Sequence, residues 1–177
     1  MSEQEDGIPH GLEIAPEARE RVLKGCFEQL DRWSAAMPPA EPLVIDFGLD
    51  QFDRYGLFEF WIANEMEAGY CGKYMYLQDG QECPLHMHKV KHETFFLVRG
   101  QLDVVLDGEF LTLYEGQTLA ILPGKLHSFR AKGGPALMLE LSMPCVPMDN
   151  YFESQKTMAW LHAGLGVTTP VAAASTN

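Results

Sequence analysis

The chain has 177 residues and a formal net charge of −12. That length suits one domain with its own core, and the acidic balance speaks against partners bound through clustered Lys and Arg, so no nucleic acid and no anionic membrane surface is expected. No apolar run approaches the ~20 residues of a membrane span. The acidic start MSEQEDGIPHG has neither the basic nor the apolar part of a secretory leader, so a cytoplasmic protein is expected.

Residues 1–15 read as a loose lead. Over 16–37, Ala18, Val22, Leu23, Cys26, Phe27, Leu30 and Trp33 recur at three- and four-residue steps; Pro16 suits a first turn and Pro38-Pro39 ends the segment. After about residue 43 the texture changes to short apolar or alternating runs: Leu57–Ile62, Tyr70–Leu77, Thr94–Arg99, Leu102–Leu106, Phe110–Tyr114, Thr118–Leu122 and Ala136–Leu141. Such closely spaced strands predict a mainly β sandwich or barrel, with an Asp107-Gly108 hairpin inside it. The expected division is a lead and helix over 1–42, a barrel over 43–153 and a tail over 154–177, with Met158, Trp160 and Leu161 packing on the domain or on a second subunit. The scattered cysteines Cys26, Cys71, Cys83 and Cys145 form no C-x-x-C pair and are expected reduced.

Four of the six histidines lie between residues 86 and 127. Residues two apart in a strand share a face, so His86 and His88 aim at one point. The parity breaks before Glu93, which calls for a turn or bulge, after which one hairpin delivers two imidazoles and a carboxylate; His127, after Pro123-Gly124, comes from a neighbouring strand pair. Three imidazoles and one carboxylate form a borderline nitrogen/oxygen donor set for a divalent transition metal. Four protein ligands on an octahedral ion leave two positions open for substrate, unlike a closed structural site. These donors suit Mn, Fe, Co, Ni, Cu or Zn, and affinity alone does not single out Mn²⁺, the ion expected here.

The spacing G-x5-H-x-H-x4-E-x6-G, present as Gly80, His86, His88, Glu93 and Gly100, resembles the first motif of the cupin superfamily. The second is matched by Gly116, Gly124 and His127, with Leu122 where a Pro is common and Ala131 where an Asn is common. The resemblance implies a single cupin: a jelly roll or small antiparallel β-barrel with the metal inside, here preceded by an N-terminal helix. Across roughly residues 43–152, Asp46-Phe47-Gly48-Leu49, Tyr70-Cys71-Gly72-Lys73, Gly80-Gln81, Pro84-x-His86-x-His88, Lys91-x-Glu93-Thr94-Phe95 and Glu140-x-Ser142 look like the D-lyxose ketol-isomerase family. That implies isomerisation of a small free sugar, D-lyxose to D-xylulose or D-mannose to D-fructose, through a cis-enediol.

Such chemistry needs an acid/base group near the transferred proton. Lys91 shares strand parity with Glu93 and matches a functional lysine of the family, and burial near a metal is expected to lower its pKa. Glu140 shares a face with Met138 and Ser142, opposite three leucines. Lys91 and Glu140 are the expected catalytic pair, and Lys73 is a candidate for sugar hydroxyls. Asp149 reads as a solvated loop carboxylate, His92 points away from the metal, His10 and His162 read as surface residues, and Phe58, Phe60, Trp61 and Phe95 read as core. The competing readings are a cupin dioxygenase with iron in the same site and a non-catalytic sugar or metal binder. A homodimer is expected, since pairing covers sheet edges.

Overall fold

The computed structural model describes residues 10–167; the start of the expected lead and the end of the expected tail lie outside them. In chain order the elements are helix α1 (Pro16–Arg32), β1 (Leu43–Ile45), the short helix α2 (Phe52–Tyr55), β2 (Leu57–Glu65), β3 (Tyr70–Leu77), β4 (Glu82–Met87), β5 (Glu93–Arg99), β6 (Gln101–Leu106), β7 (Glu109–Tyr114), β8 (Thr118–Ile121), β9 (His127–Ala131), β10 (Ala136–Ser142), β11 (Tyr151–Phe152) and helix α3 (Gln155–Gly164). They form two antiparallel sheets, β1-β2-β3-β10-β5-β8 and β11-β4-β9-β6-β7. The fold is mainly β with an N-terminal helix, as the strand pattern predicts.

The alternation of each strand decides what lies between the sheets. Leu57, Met75, Leu77, Phe95, Leu97, Leu102, Val104, Phe129 and Met138 fill the interior. The opposite face of the six-stranded sheet is covered by α1, whose Leu23, Cys26 and Leu30 pack on Val44, Phe58, Phe60, Tyr76 and Leu137. The helix ends at Arg32, short of Pro38-Pro39, because Ser34 turns into the left-handed region at φ 51°.

The connection from β4 to β5 corrects one expectation. These strands are not a hairpin, since β4 belongs to the five-stranded sheet and β5 to the six-stranded one. Residues 88–92 carry the chain across the barrel, so imidazoles and carboxylate approach from opposite walls.

Gly100 makes the return crossing between β5 and β6 at φ +85°, where a Cβ would lie 2.4 Å from the Pro135 carbonyl oxygen. Gly116 has a similar φ of +83° but open space around it. Gly100→Ala is expected to cost about 2 kcal/mol or more, from backbone strain plus the clash. Gly116→Ala is expected to cost about 1 kcal/mol, from strain alone. Urea unfolding of the two variants measures the difference.

Candidate metal centre and adjoining charged cavity

His86 on β4 lies directly across the ladder from His127 on β9, and His88 follows just beyond the end of β4. The nitrogen donors of His86, His88 and His127 all lie within 4.8 Å of one another, and all three side chains are buried. Each ring is oriented in the same way. His86 Nδ1 is 2.8 Å from the Pro84 carbonyl oxygen, His88 Nδ1 is 3.0 Å from that of Asp149, and His127 Nδ1 is 2.9 Å from that of Lys125. A carbonyl only accepts, so each Nδ1 donates and Nε2 is the nitrogen each ring has left to offer as a ligand. Burial, reinforced by the other two rings, holds His86 well below the usual histidine range and so neutral.

Glu93, at the start of β5, meets this cluster from the other sheet. Its Oε1 is 3.3 Å from His88 Nε2 and its Oε2 is 3.1 Å from His127 Nε2. With both Nδ1 positions committed as donors, these are acceptors facing acceptors. Accordingly His88 Nε2, His127 Nε2 and Glu93 Oε2 are buried without a hydrogen bond among the described residues. A cation among them satisfies all three, so the residues fit a divalent metal. Burial works against the Glu93 carboxylate, yet the Lys91 ammonium beside it holds it well below the usual carboxylate range.

The loop that carries His88 is tied down by Asp149. Its carboxylate accepts from the backbone N–H groups of Lys89, Val90 and Lys91 at 2.9–3.3 Å, while its own carbonyl orients His88. Asp149 is therefore not the free solvated carboxylate expected of a turn. The same loop gives Lys91, which is buried although it lies in no strand. Its side chain enters because the loop crosses the barrel interior, and strand parity does not apply.

Lys91 Nζ is 2.5 Å from Glu93 Oε1 and 3.2 Å from Glu140 Oε1. On β10, Glu140 is directly opposite Lys73 of β3, with 3.6 Å between Oε2 and Nζ, and Lys73 Nζ is 2.7 Å from Glu59 Oε1 on β2. Five buried groups thus alternate in sign as Glu93, Lys91, Glu140, Lys73 and Glu59. Burial opposes the charge on Lys91, but Glu140 and Glu93 outweigh it and raise its pKa, the reverse of the lowering expected from desolvation. Glu140 and Glu93 line one cavity of about 40 Å³ with His86, His88, Lys91 and Lys73. An adjoining, more apolar cavity of about 60 Å³ shares Phe47, Glu59, Lys73, Asn150 and Phe152 and is lined also by Trp160 and Leu161 of α3.

Glu59 escaped the sequence reading, although a carboxylate amid Leu57-Phe58-Glu59-Phe60-Trp61 carries the same signal as Glu140 amid leucines. Trp61 is core, as expected, but its buried indole N–H has no partner among the described residues, and it flanks the Lys73 ammonium at 4.9 Å. His92, in the same loop as Lys91, is exposed and stays out of the imidazole cluster, as expected.

Comparison with known proteins agrees with this architecture. Residues 73–142 match the Cupin domain family. A D-lyxose/D-mannose isomerase of Thermosediminibacter oceani is 27% identical across 68% of this chain and 82% of its own length. Quercetin 2,3-dioxygenase of Bacillus subtilis is 34% identical, but over 36% of this chain, which spans only 19% of that enzyme's length. Among solved structures, L-ribose isomerase of Cellulomonas parahominis with L-psicose superposes with a TM-score of 0.71 at 17% identity, covering 90% of this chain and 99% of that one. At that identity the likeness concerns the fold.

Isothermal titration of metal-free protein with Mn²⁺ or Zn²⁺ is expected to show one site per chain. It should be abolished in His127→Ala and weakened about 10–100-fold in Asp149→Ala, which loosens the loop that orients His88.

Proposed function

We propose that the chain is a cupin and a metal-dependent aldose–ketose isomerase acting on a small free sugar. D-Lyxose to D-xylulose and D-mannose to D-fructose are the reactions put forward, with His86, His88, Glu93 and His127 holding one divalent ion, Mn²⁺ in this reading. The observation that carries the proposal is the Lys91–Glu140 pair in the cavity that the imidazoles also line. An acid and a base beside a cation site are what an enediol route requires. The 27% identity with the T. oceani isomerase across most of its length supports the same reading.

When bound, the ion supplies Lewis-acid polarisation of the sugar's carbonyl and neighbouring hydroxyl oxygens. The chain's residues do the rest. Glu140 takes the proton from C2 as the Lys91 ammonium gives one to O1, forming the cis-enediol. Lys91 then recovers a proton from O2 and Glu140 returns its proton to C1. Protons and electrons balance with no external oxidant or reductant. The carboxylates that raise the pKa of Lys91 keep it charged and able to act as the acid. Lys73 is proposed to donate to a sugar hydroxyl. Phe47, Phe95, Phe129 and Phe152 around the cavity keep water from the enediol.

A cupin dioxygenase with iron in the same site is the second reading, favoured by the local identity to quercetin 2,3-dioxygenase. The two lysines and two non-ligand carboxylates lining the cavity argue against it, because an apolar aromatic substrate would strand their charges.

The reading includes a homodimer and a cytoplasmic setting. Ile62 and Leu141 are each 52% exposed on the part of the six-stranded sheet beyond α1, an apolar face that pairing would cover. The four cysteines are unpaired, which fits a reducing compartment. No helix among the described residues is long and apolar enough to cross a membrane.

Protein loaded with Mn²⁺ and incubated with D-lyxose or D-mannose should form D-xylulose or D-fructose, and EDTA should abolish this. Lys91→Met and Glu140→Gln should each lower kcat by about 10²-fold or more while metal stoichiometry stays unchanged. Oxygen uptake by iron-loaded protein, without sugar turnover, would favour the dioxygenase instead.

A further inference from the structure

The hydrogen bonds of Glu140 are unevenly shared between its oxygens. Oε1 accepts from the Lys91 ammonium at 3.2 Å and from the Ser142 hydroxyl at 3.0 Å. Oε2 accepts none among the described residues, and its nearest cation, Lys73 Nζ, stands at 3.6 Å, beyond hydrogen-bond length. A buried ammonium directly across a strand pair from a carboxylate would ordinarily close to about 2.8 Å. Lys73 does not, because its Nζ is taken at 2.7 Å by Glu59 Oε1. Glu59, Lys73 and Glu140 are 7%, 5% and 2% exposed, so no bulk water competes for these contacts.

Strand geometry accounts for the separation. Lys73 is in register with both Glu140 on β10 and Trp61 on β2. Glu59 lies two residues from Trp61 and so faces the same interior. The ammonium, with carboxylates on both neighbouring strands, sits on the β2 side, against Glu59 and the Trp61 ring.

We propose that Glu59 is a positioning residue: it draws the Lys73 ammonium off Glu140 and keeps Glu140 Oε2 free to receive the substrate's proton. The proposal rests on the isomerase reading for its substrate, and on the contacts above for its geometry. Without the Glu59 charge, Lys73 closes onto Oε2 and occupies the atom that must accept the proton. A role limited to neutralising Lys73 would affect folding and leave turnover by the folded protein intact.

Crystal structures of Glu59→Gln and Glu59→Asp read the Lys73 Nζ–Glu140 Oε2 distance whatever the protein catalyses. In Glu59→Gln it should shorten to about 2.8 Å; a gap that stays open overturns the proposal. In Glu59→Asp the charge remains, so the gap should persist, and closure there overturns it equally, which keeps the test decisive if the Gln variant does not fold. In turnover assays, Glu59→Gln should lower kcat about 10–100-fold with KM within about twofold, and Glu59→Asp should restore most of the loss. A folded Glu59→Gln variant with unchanged kcat overturns the proposal. If the wild type turns over no aldose, the isomerase reading fails, while the crystallographic distances still decide the role of Glu59.

Discussion

Lone pairs meet lone pairs at the centre of this barrel. Three imidazoles are locked by backbone carbonyls into the tautomer that bares Nε2, and a carboxylate reaches towards two of them from the opposite sheet. In water such groups would be solvated separately; in a buried site their mutual approach has no favourable term until a positive charge joins them. Protonating the rings would supply one, but burial and the neighbouring rings hold His86 neutral, and each Nδ1 is already a donor. A metal ion would satisfy all four groups at once. The orienting carbonyls, and Asp149 behind one of them, matter as much as the donors because they hold the rings in place without it.

The two sheets divide the work. The five-stranded sheet and the crossing loop supply imidazoles, while four neighbouring strands of the other sheet, β2, β3, β10 and β5, supply Glu59, Lys73, Glu140 and Glu93. Lys91 enters from the loop and joins Glu93 to Glu140. Each charge in the series has an opposite charge beside it, which is the condition under which buried ions are tolerated. The arrangement also makes their effects interdependent. Lys73 bonds Glu59 at 2.7 Å and stands 3.6 Å from Glu140, so a change at one carboxylate bears on the ammonium beside the other.

Much of this could be read from the residues. The clustering of His86, His88 and His127 was legible because alternation and motif spacing both constrain them, and Glu140 drew notice because a carboxylate in a leucine strand needs a reason to be there. Lys91 was reached through strand parity, yet it enters the cavity from a loop; its family resemblance and its place two residues before Glu93 were the sounder signals. Asp149 could not be recognised locally, because its role depends on N–H groups 58–60 residues away in sequence. The two-residue β11 is too short to carry a period. Helix α3 has a Ser154 cap on the Thr157 N–H, but its packing against the cavity depends on where the barrel's mouth lies, which no local pattern encodes.

One fold serves many reactions, so a candidate metal site alone does not choose one. The choice here lies in what surrounds it. A dioxygenase substrate that is apolar and aromatic would have to displace whatever solvates Lys73, Lys91, Glu59 and Glu140, leaving those charges against a hydrocarbon surface. A polyhydroxylated chain does the opposite, since every hydroxyl is both donor and acceptor and can replace water at an ammonium and a carboxylate alike. The alternating charges therefore suit a ligand carrying hydroxyls on successive carbons, and in the proposed isomerase reading Lys91 and Glu140 are the acid and the base beside it.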